Sequence, residues 1–109
     1  MLSKINRLRN DKEIKRVLAG GKGYRDGFLF LKSAKNNLEA ARFAFIVSKK
    51  TAKKAVLRNK IKRRLTEAVR KKIPELKTGF DAVVIAQKGI ENKTFQETKE
   101  NIERLLRNI

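Results

Sequence analysis

Residues 42 to 86 read RFAFIVSKKTAKKAVLRNKIKRRLTEAVRKKIPELKTGFDAVVIA, and the changes of pattern within them decide the fold. Arg42 to Val47 is β-rich and alternates, setting Phe43, Phe45 and Val47 on one side of an extended chain. From about Lys53 to Lys72 the period turns helical, and Leu57, Ile61, Leu65, Ala68 and Val69 form an apolar stripe. Pro74 ends that helix, since its ring removes a donor and blocks the next turn. Phe80 to Ala86 then reads as a largely buried strand.

Upstream, Asn10 or Asp11 caps a first helix carrying Ile14, Val17 and Leu18, which Gly20 and Gly21 stop. Gly23 and Gly27 predict a mobile loop after it, followed by a strand at Phe28 to Leu31 with Phe28 and Phe30 on one side. The turn-like Lys35-Asn36-Asn37 makes an antiparallel hairpin of that strand and Arg42 to Val47 the economical pairing. Downstream, Thr94-Phe95-Gln96-Glu97 is a capping box that opens a last helix, lined by Phe95, Ile102, Leu105, Leu106 and Ile109. The order α-β-β-α-β-α predicts an α+β chain: one mixed sheet with helices packed against it, a single domain over residues 1–109. No repeat, low-complexity segment or long linker divides it.

Twenty-nine Lys and Arg against eleven Asp and Glu give a formal charge of +18, a self-repulsion that calls for a polyanion, and nucleic acid is the expected one. The excess is concentrated. Residues 49 to 72 hold twelve basic side chains and one acid, Glu67, whereas residues 73 to 109 hold six of each. On a helical wheel Arg58 and Lys62 run along the edge of the buried stripe, while Lys60, Arg63, Arg64, Arg70 and Lys71 point outward. One basic surface therefore borders a cleft and the other is broad, a division suited to a single strand and a folded RNA. Arg forks and Lys point charges on a rigid helix grip phosphate without reading sequence, and Asn59 among them offers a donor and an acceptor.

With no cysteine and no histidine, disulfides, thiolate metal sites and histidine acid–base chemistry are excluded. The apolar runs are strand-length, far short of a membrane span, and Met1 to Ile5 lacks the apolar core of an export signal, so a cytoplasmic protein with no membrane partner is expected.

The run from Ser48 to Leu65 resembles the signature of the bacterial ribonuclease P protein component, whose core is Arg-Asn-Arg followed by an Ile-Lys-Arg step. The likeness extends to Asn6-Arg7-Leu8, to Arg42 through Val47 and to Gly79-Phe80-Asp81. It implies an α/β sandwich with a left-handed crossover between parallel strands. It also implies a protein subunit that joins the ribonuclease P catalytic RNA, binds precursor tRNA including its 5′ leader, and assists removal of that leader. Magnesium would be bound mainly by the RNA, which carries the chemistry, and no protein partner is required. Arg58, Asn59, Lys62 and Arg63 match the motif and inherit its RNA-contacting role; Lys60 keeps the charge without the fork. Lys49, Lys50, Lys53, Lys54 and Arg64 extend that RNA-binding surface. In the leader cleft implied between the first helix and the sheet, Ile14 and Leu18 form a wall where the family commonly has an aromatic. Phe30 and Lys32 face it, Phe30 reading either as a stacking platform or as ordinary core, with Tyr24 as a further candidate.

Two rival readings remain at this level. A ribosomal or other structural RNA-binding protein would share the charge and the build, and a stand-alone nuclease would need magnesium on carboxylates. Against the second, Asp26 and Asp81 are isolated in sequence, and Glu97, Glu100 and Glu103 belong to the last helix, so no catalytic or metal-ligating residue is assigned.

Overall fold

The computed structural model describes residues 2–109. Three helices, α1 (Asp11–Gly20), α2 (Ala55–Lys72) and α3 (Phe95–Leu106), accompany four strands, β1 (Lys22–Asp26), β2 (Leu29–Lys35), β3 (Ala41–Ile46) and β4 (Phe80–Ala86). The strands form one sheet in the order β1-β2-β4-β3. β2 is antiparallel to β1 and to β4, while β3 and β4 are parallel and joined through α2.

The apolar character of Phe80 to Ala86 explains its central place. A strand with neighbours on both sides and layers on both faces must be apolar on both. Ala82, Val84 and Ala86 enter the main core with Leu29, Leu31, Phe43 and the stripes of α2 and α3. Val83 points the other way and packs with Leu8 and Val17 beneath α1. Each fully buried Leu, Val or Phe in these layers stabilises the fold by about 1.5–3 kcal/mol.

Local signals act as the sequence implies. Asn10 Oδ1 accepts from the Lys12 amide at 2.8 Å and starts α1. Both bonds of the Thr94–Glu97 capping box are present at the start of α3. In α2, Ile61, Leu65, Ala68 and Val69 are buried and Leu57 partly so.

The structure corrects three expectations upstream. The segment after α1 is an edge strand, not a mobile loop, so the element order is α-β-β-β-α-β-α. Its residues, Lys-Gly-Tyr-Arg-Asp, carry no apolar alternation; pairing with β2 makes them a strand, and Gly27, at φ +58°, forms the turn between the two. The anticipated hairpin of β2 with β3 is likewise absent, because β4 lies between them. Phe28 does not share a side with Phe30: it falls in the turn before β2 and packs on the main core with Lys93 Nζ 5.1 Å from its ring centroid.

Asp81, isolated in the sequence, is the polar centre of the α1 face. Its side chain is fully buried and accepts from Arg42 Nε and Nη2, each at 2.8 Å, from Arg16 Nη2 at 2.7 Å and from Asn36 Nδ2 at 2.7 Å. Arg42 also pairs with Glu13. Burial alone pushes the Asp81 carboxyl up; the bonds from Arg42 and Asn36, with the charges of Arg42 and Arg16, outweigh it and hold the group below its ordinary range.

Because the folded chain prefers the ionised form, the Asp81 contribution is fully present above the ordinary carboxylate range and is lost as pH falls through the depressed value. Thermal unfolding should therefore lose stability below about pH 4. Asp81→Asn should cost about 1–3 kcal/mol at neutral pH, by removing the buried charge that Arg42, Arg16 and Asn36 converge on while Glu13 still pairs with Arg42, and should make the acid limb shallower. An unchanged acid limb in that variant would place the acid-sensitive group elsewhere.

Candidate nucleic-acid interface

Along the sheet register one row of side chains on the α1 face runs Arg25, Phe30, Ile85 and Ile46 across β1, β2, β4 and β3. Phe30, Ile85 and Ile46 are all half-buried, because α1 covers the neighbouring row and leaves this one partly open. Ile14 and Leu18 of α1 are half-buried too and pack with Ile46 and Ile85 around Leu8, Val17 and Val83. The anticipated wall and floor of a cleft thus come together, with an apolar surface accessible from one side.

Phe30 belongs to neither buried cluster. Its ring lies against Gly23 of β1, where an added Cβ would sit 2.7 Å from Phe30 Cζ, so the glycine lets the ring lie flat along the sheet edge. Lys32 is more constrained than expected: its Nζ donates to the Leu18 carbonyl at 2.9 Å. The ammonium thus meets the negative end of α1 and braces the helix from which the cleft wall projects. Tyr24 is not in the cleft; it pairs with Leu31 on the opposite face of the sheet and packs on the main core.

The row ends at Ile46, and the chain leads from there into the basic segment. The Ser48 carbonyl accepts from the Thr51 and Ala52 amides, each at 3.1 Å, and Thr51 Oγ1 donates to the Ala86 carbonyl at 3.2 Å. This folded loop, pinned to the end of β4, exposes Lys49, Lys50, Lys53 and Lys54. Arg58 is half-buried, and its Nη1 donates to the Ala52 and Lys53 carbonyls at 3.0 and 2.8 Å. One arm of its fork therefore fixes the loop on the first turn of α2. Asn59, Lys60, Lys62 and Arg63 are exposed and Arg64 is half-buried. Asn59 is exposed, and among the described residues its side chain makes no hydrogen bond.

The acids nearest this surface are paired with other cations. Glu67 pairs with Arg70, and Lys72 lies between Glu75 and Glu103. Among the described residues, none of Lys49, Lys50, Lys53, Lys54, Arg58, Lys60, Lys62, Arg63 or Arg64 is in an ion pair.

Sequence reasoning gave Arg7 and Arg9 no site role. Residue 7 bridges to Phe43 at the β3 edge and, with Arg9, Ile14, Phe45 and Thr66, lines a groove of about 320 Å³ beside α2. Arg7 Nε is buried without a hydrogen-bond partner among the described residues. The position of Arg7 within Asn6-Arg7-Leu8 was the available signal, but its placement depends on strand addition at the β3 edge.

The ribonuclease P family model matches residues 2–109. The ribonuclease P protein component of Caldanaerobacter subterraneus subsp. tengcongensis is 36% identical over 107 residues, spanning 98% of this chain and 91% of that protein. That of Syntrophomonas wolfei is 38% identical over 96 residues, spanning 88% and 80%. Among solved structures, the RNase P protein of Thermotoga maritima in complex with 1-(4-fluorophenyl)-2-thiourea superposes with a TM-score of 0.87 at 30% identity, covering 94% of this chain and 99% of that one. A Staphylococcus aureus RNase P protein mutant gives 0.88 at 25% identity, covering 96% and 88%. With the match spanning the described residues, sheet and basic helix together, the chain belongs to the bacterial ribonuclease P protein family, the protein component of an endoribonuclease that processes tRNA.

Proposed function

We propose that the protein binds the ribonuclease P catalytic RNA through α2 and the loop before it, and lays the 5′ leader of precursor tRNA along the half-open row beside α1. The observation that carries this reading is the set of nine cations from Lys49 to Arg64 that have no ion-pair partner among the described residues, held on a helix and a pinned loop. Unpaired exposed cations at this density repel one another, and phosphate oxygens relieve that repulsion. The leader assignment rests on continuity: the apolar row of Phe30, Ile85 and Ile46 runs into the basic loop, so bases can lie on the sheet while their backbone passes the lysines.

The chain's own role is to bind and orient. Arg58 and Lys32 serve partly as braces, for the loop and for α1, whereas Lys60, Lys62 and Arg63 have free heads for phosphate. Among the described residues no group of three or more carboxylates is close enough together to hold a metal ion. In this reading, as the family resemblance implies, magnesium is bound mainly by the RNA. Among the described residues no helix is long and apolar enough to cross a membrane.

Cleavage of precursor tRNA by a bacterial ribonuclease P RNA at low magnesium, with and without this protein, tests the reading. Faster correct 5′ cleavage with the RNA present, and a larger effect for long leaders than for short ones, is expected. Binding without acceleration would favour a structural RNA-binding role, and cleavage by the protein alone would restore the nuclease.

Replacing Lys60, Lys62 and Arg63 together with Gln should lower the slope of log affinity against log salt by about 2–3, since each phosphate contact contributes roughly 0.7–0.9. An unchanged slope would move the RNA to another face. Phe30→Leu should weaken leader binding by about 1–3 kcal/mol per stacked base while leaving the melting temperature nearly unchanged. A large fall in melting temperature with intact leader affinity would make Phe30 a core residue.

A further inference from the structure

We infer that Phe95, at the start of α3, stacks on an unpaired base of the RNA that lies along α2, an inference that rests on the RNA-binding reading above. Phe95 was assigned from the sequence to the apolar lining of α3, and it does pack against the main core. Part of its ring nevertheless remains uncovered and lines an open groove of about 550 Å³ with Lys60, Arg63, Arg64 and Glu67. These four α2 residues lie at helical spacing, forming one stripe that faces the start of α3.

The charge in the groove is cationic in effect. Glu67 is occupied by Arg70, whereas Lys60, Arg63 and Arg64 have no acidic partner among the described residues. The capping box fixes the backbone around Phe95, so the ring is presented from a rigid element. Three of the other rings are already engaged: Phe28 has Lys93 over its face, and Phe43 and Phe80 meet edge to face at 5.6 Å. Among the described residues no cation or second ring is paired with Phe95 in this way.

A partly uncovered aromatic ring beside cations with no acidic partner among the described residues suits a single-stranded nucleotide. The cations hold the flanking phosphates, the ring takes the base, and the stacking is sequence-tolerant. A base inside an A-form duplex does not offer its face, so the groove selects a bulged, looped or terminal nucleotide. It also lies apart from the α1 cleft, across the sheet, and is therefore a separate contact from that of the leader.

The test compares the wild-type chain with Phe95→Leu, Phe95→Tyr and Phe95→Trp for binding to ribonuclease P RNA across a salt series. Phe95→Leu should weaken binding by about 5- to 150-fold, the span expected for one stacked base, with the wild-type salt slope, because no phosphate contact is removed. The Tyr and Trp variants should bind as the wild type does. The sequence contains no tryptophan, so Phe95→Trp introduces a single indole. Its fluorescence should be quenched saturably by the RNA and not by a perfect RNA duplex. Unchanged affinity in Phe95→Leu, a loss that neither aromatic variant restores, or an unquenched indole at saturating RNA would each overturn the inference. A wild-type chain that does not bind the RNA overturns the broader reading with it, and that outcome is distinct from the other three.

Discussion

The carboxylate of Asp81 is the constraint on which the α1 side of this molecule depends. It sits on the central strand with no exposure, and its partners come from α1, from the link between β2 and β3, and from β3 itself. Apolar packing of Ile14, Val17 and Leu18 is compatible with several positions of a short helix on a sheet. The Asp81 network is not, because Arg16 must reach it while Glu13 meets Arg42. Lys32 adds a second fixed point at the other end of the helix. Which row of the sheet is covered and which is left half-open follows from these contacts, so a buried ionic network shapes a surface made mostly of apolar side chains.

Elements whose identity is written locally were legible in the sequence. The apolar run of β4, the stripe of α2, Pro74 and the Thr94–Glu97 capping box each act through neighbours within a few residues, and each has the expected place. What could not be read depends on partners distant along the chain. Lys22 to Asp26 is extended because β2 accepts it, and β2 and β3 are apart because β4, nearly forty residues after β3 begins, inserts between them. Asp81 lies 65 residues from Arg16 and 39 from Arg42, so no local pattern announces the network.

The candidate surface divides along the same line. Charge distribution singled out residues 49 to 72; within them Arg70 and Lys72 have acidic partners, and among the described residues the cations from Lys49 to Arg64 have none. They are not equivalent. Arg58, read as a plain RNA contact, uses one arm of its guanidinium to hold the loop, and Lys32, read as facing a cleft, holds a helix end. Phe95 shows the reverse: its position in an apolar stripe predicts burial, yet the α2 residues packed beside it are long and charged and leave part of the ring open.

Charge segregation connects these observations. The acids of this +18 chain are few, and the ion pairs they form lie mainly where elements must be tied together: Glu13 and Asp81 at α1, Asp26 with Arg104 between β1 and α3, Glu75 and Glu103 around Lys72. Glu67 is the single acid within the basic segment, and Arg70 takes it. Countercharge is therefore spent on architecture, and repulsion along α2 stays uncompensated within the chain. A bound polyanion lowers that repulsion in the folded state, where the cations are held close on a rigid helix, more than in an expanded chain. In the proposed reading association and stability are coupled through the same side chains, because a polyanion bound along α2 relieves the repulsion there.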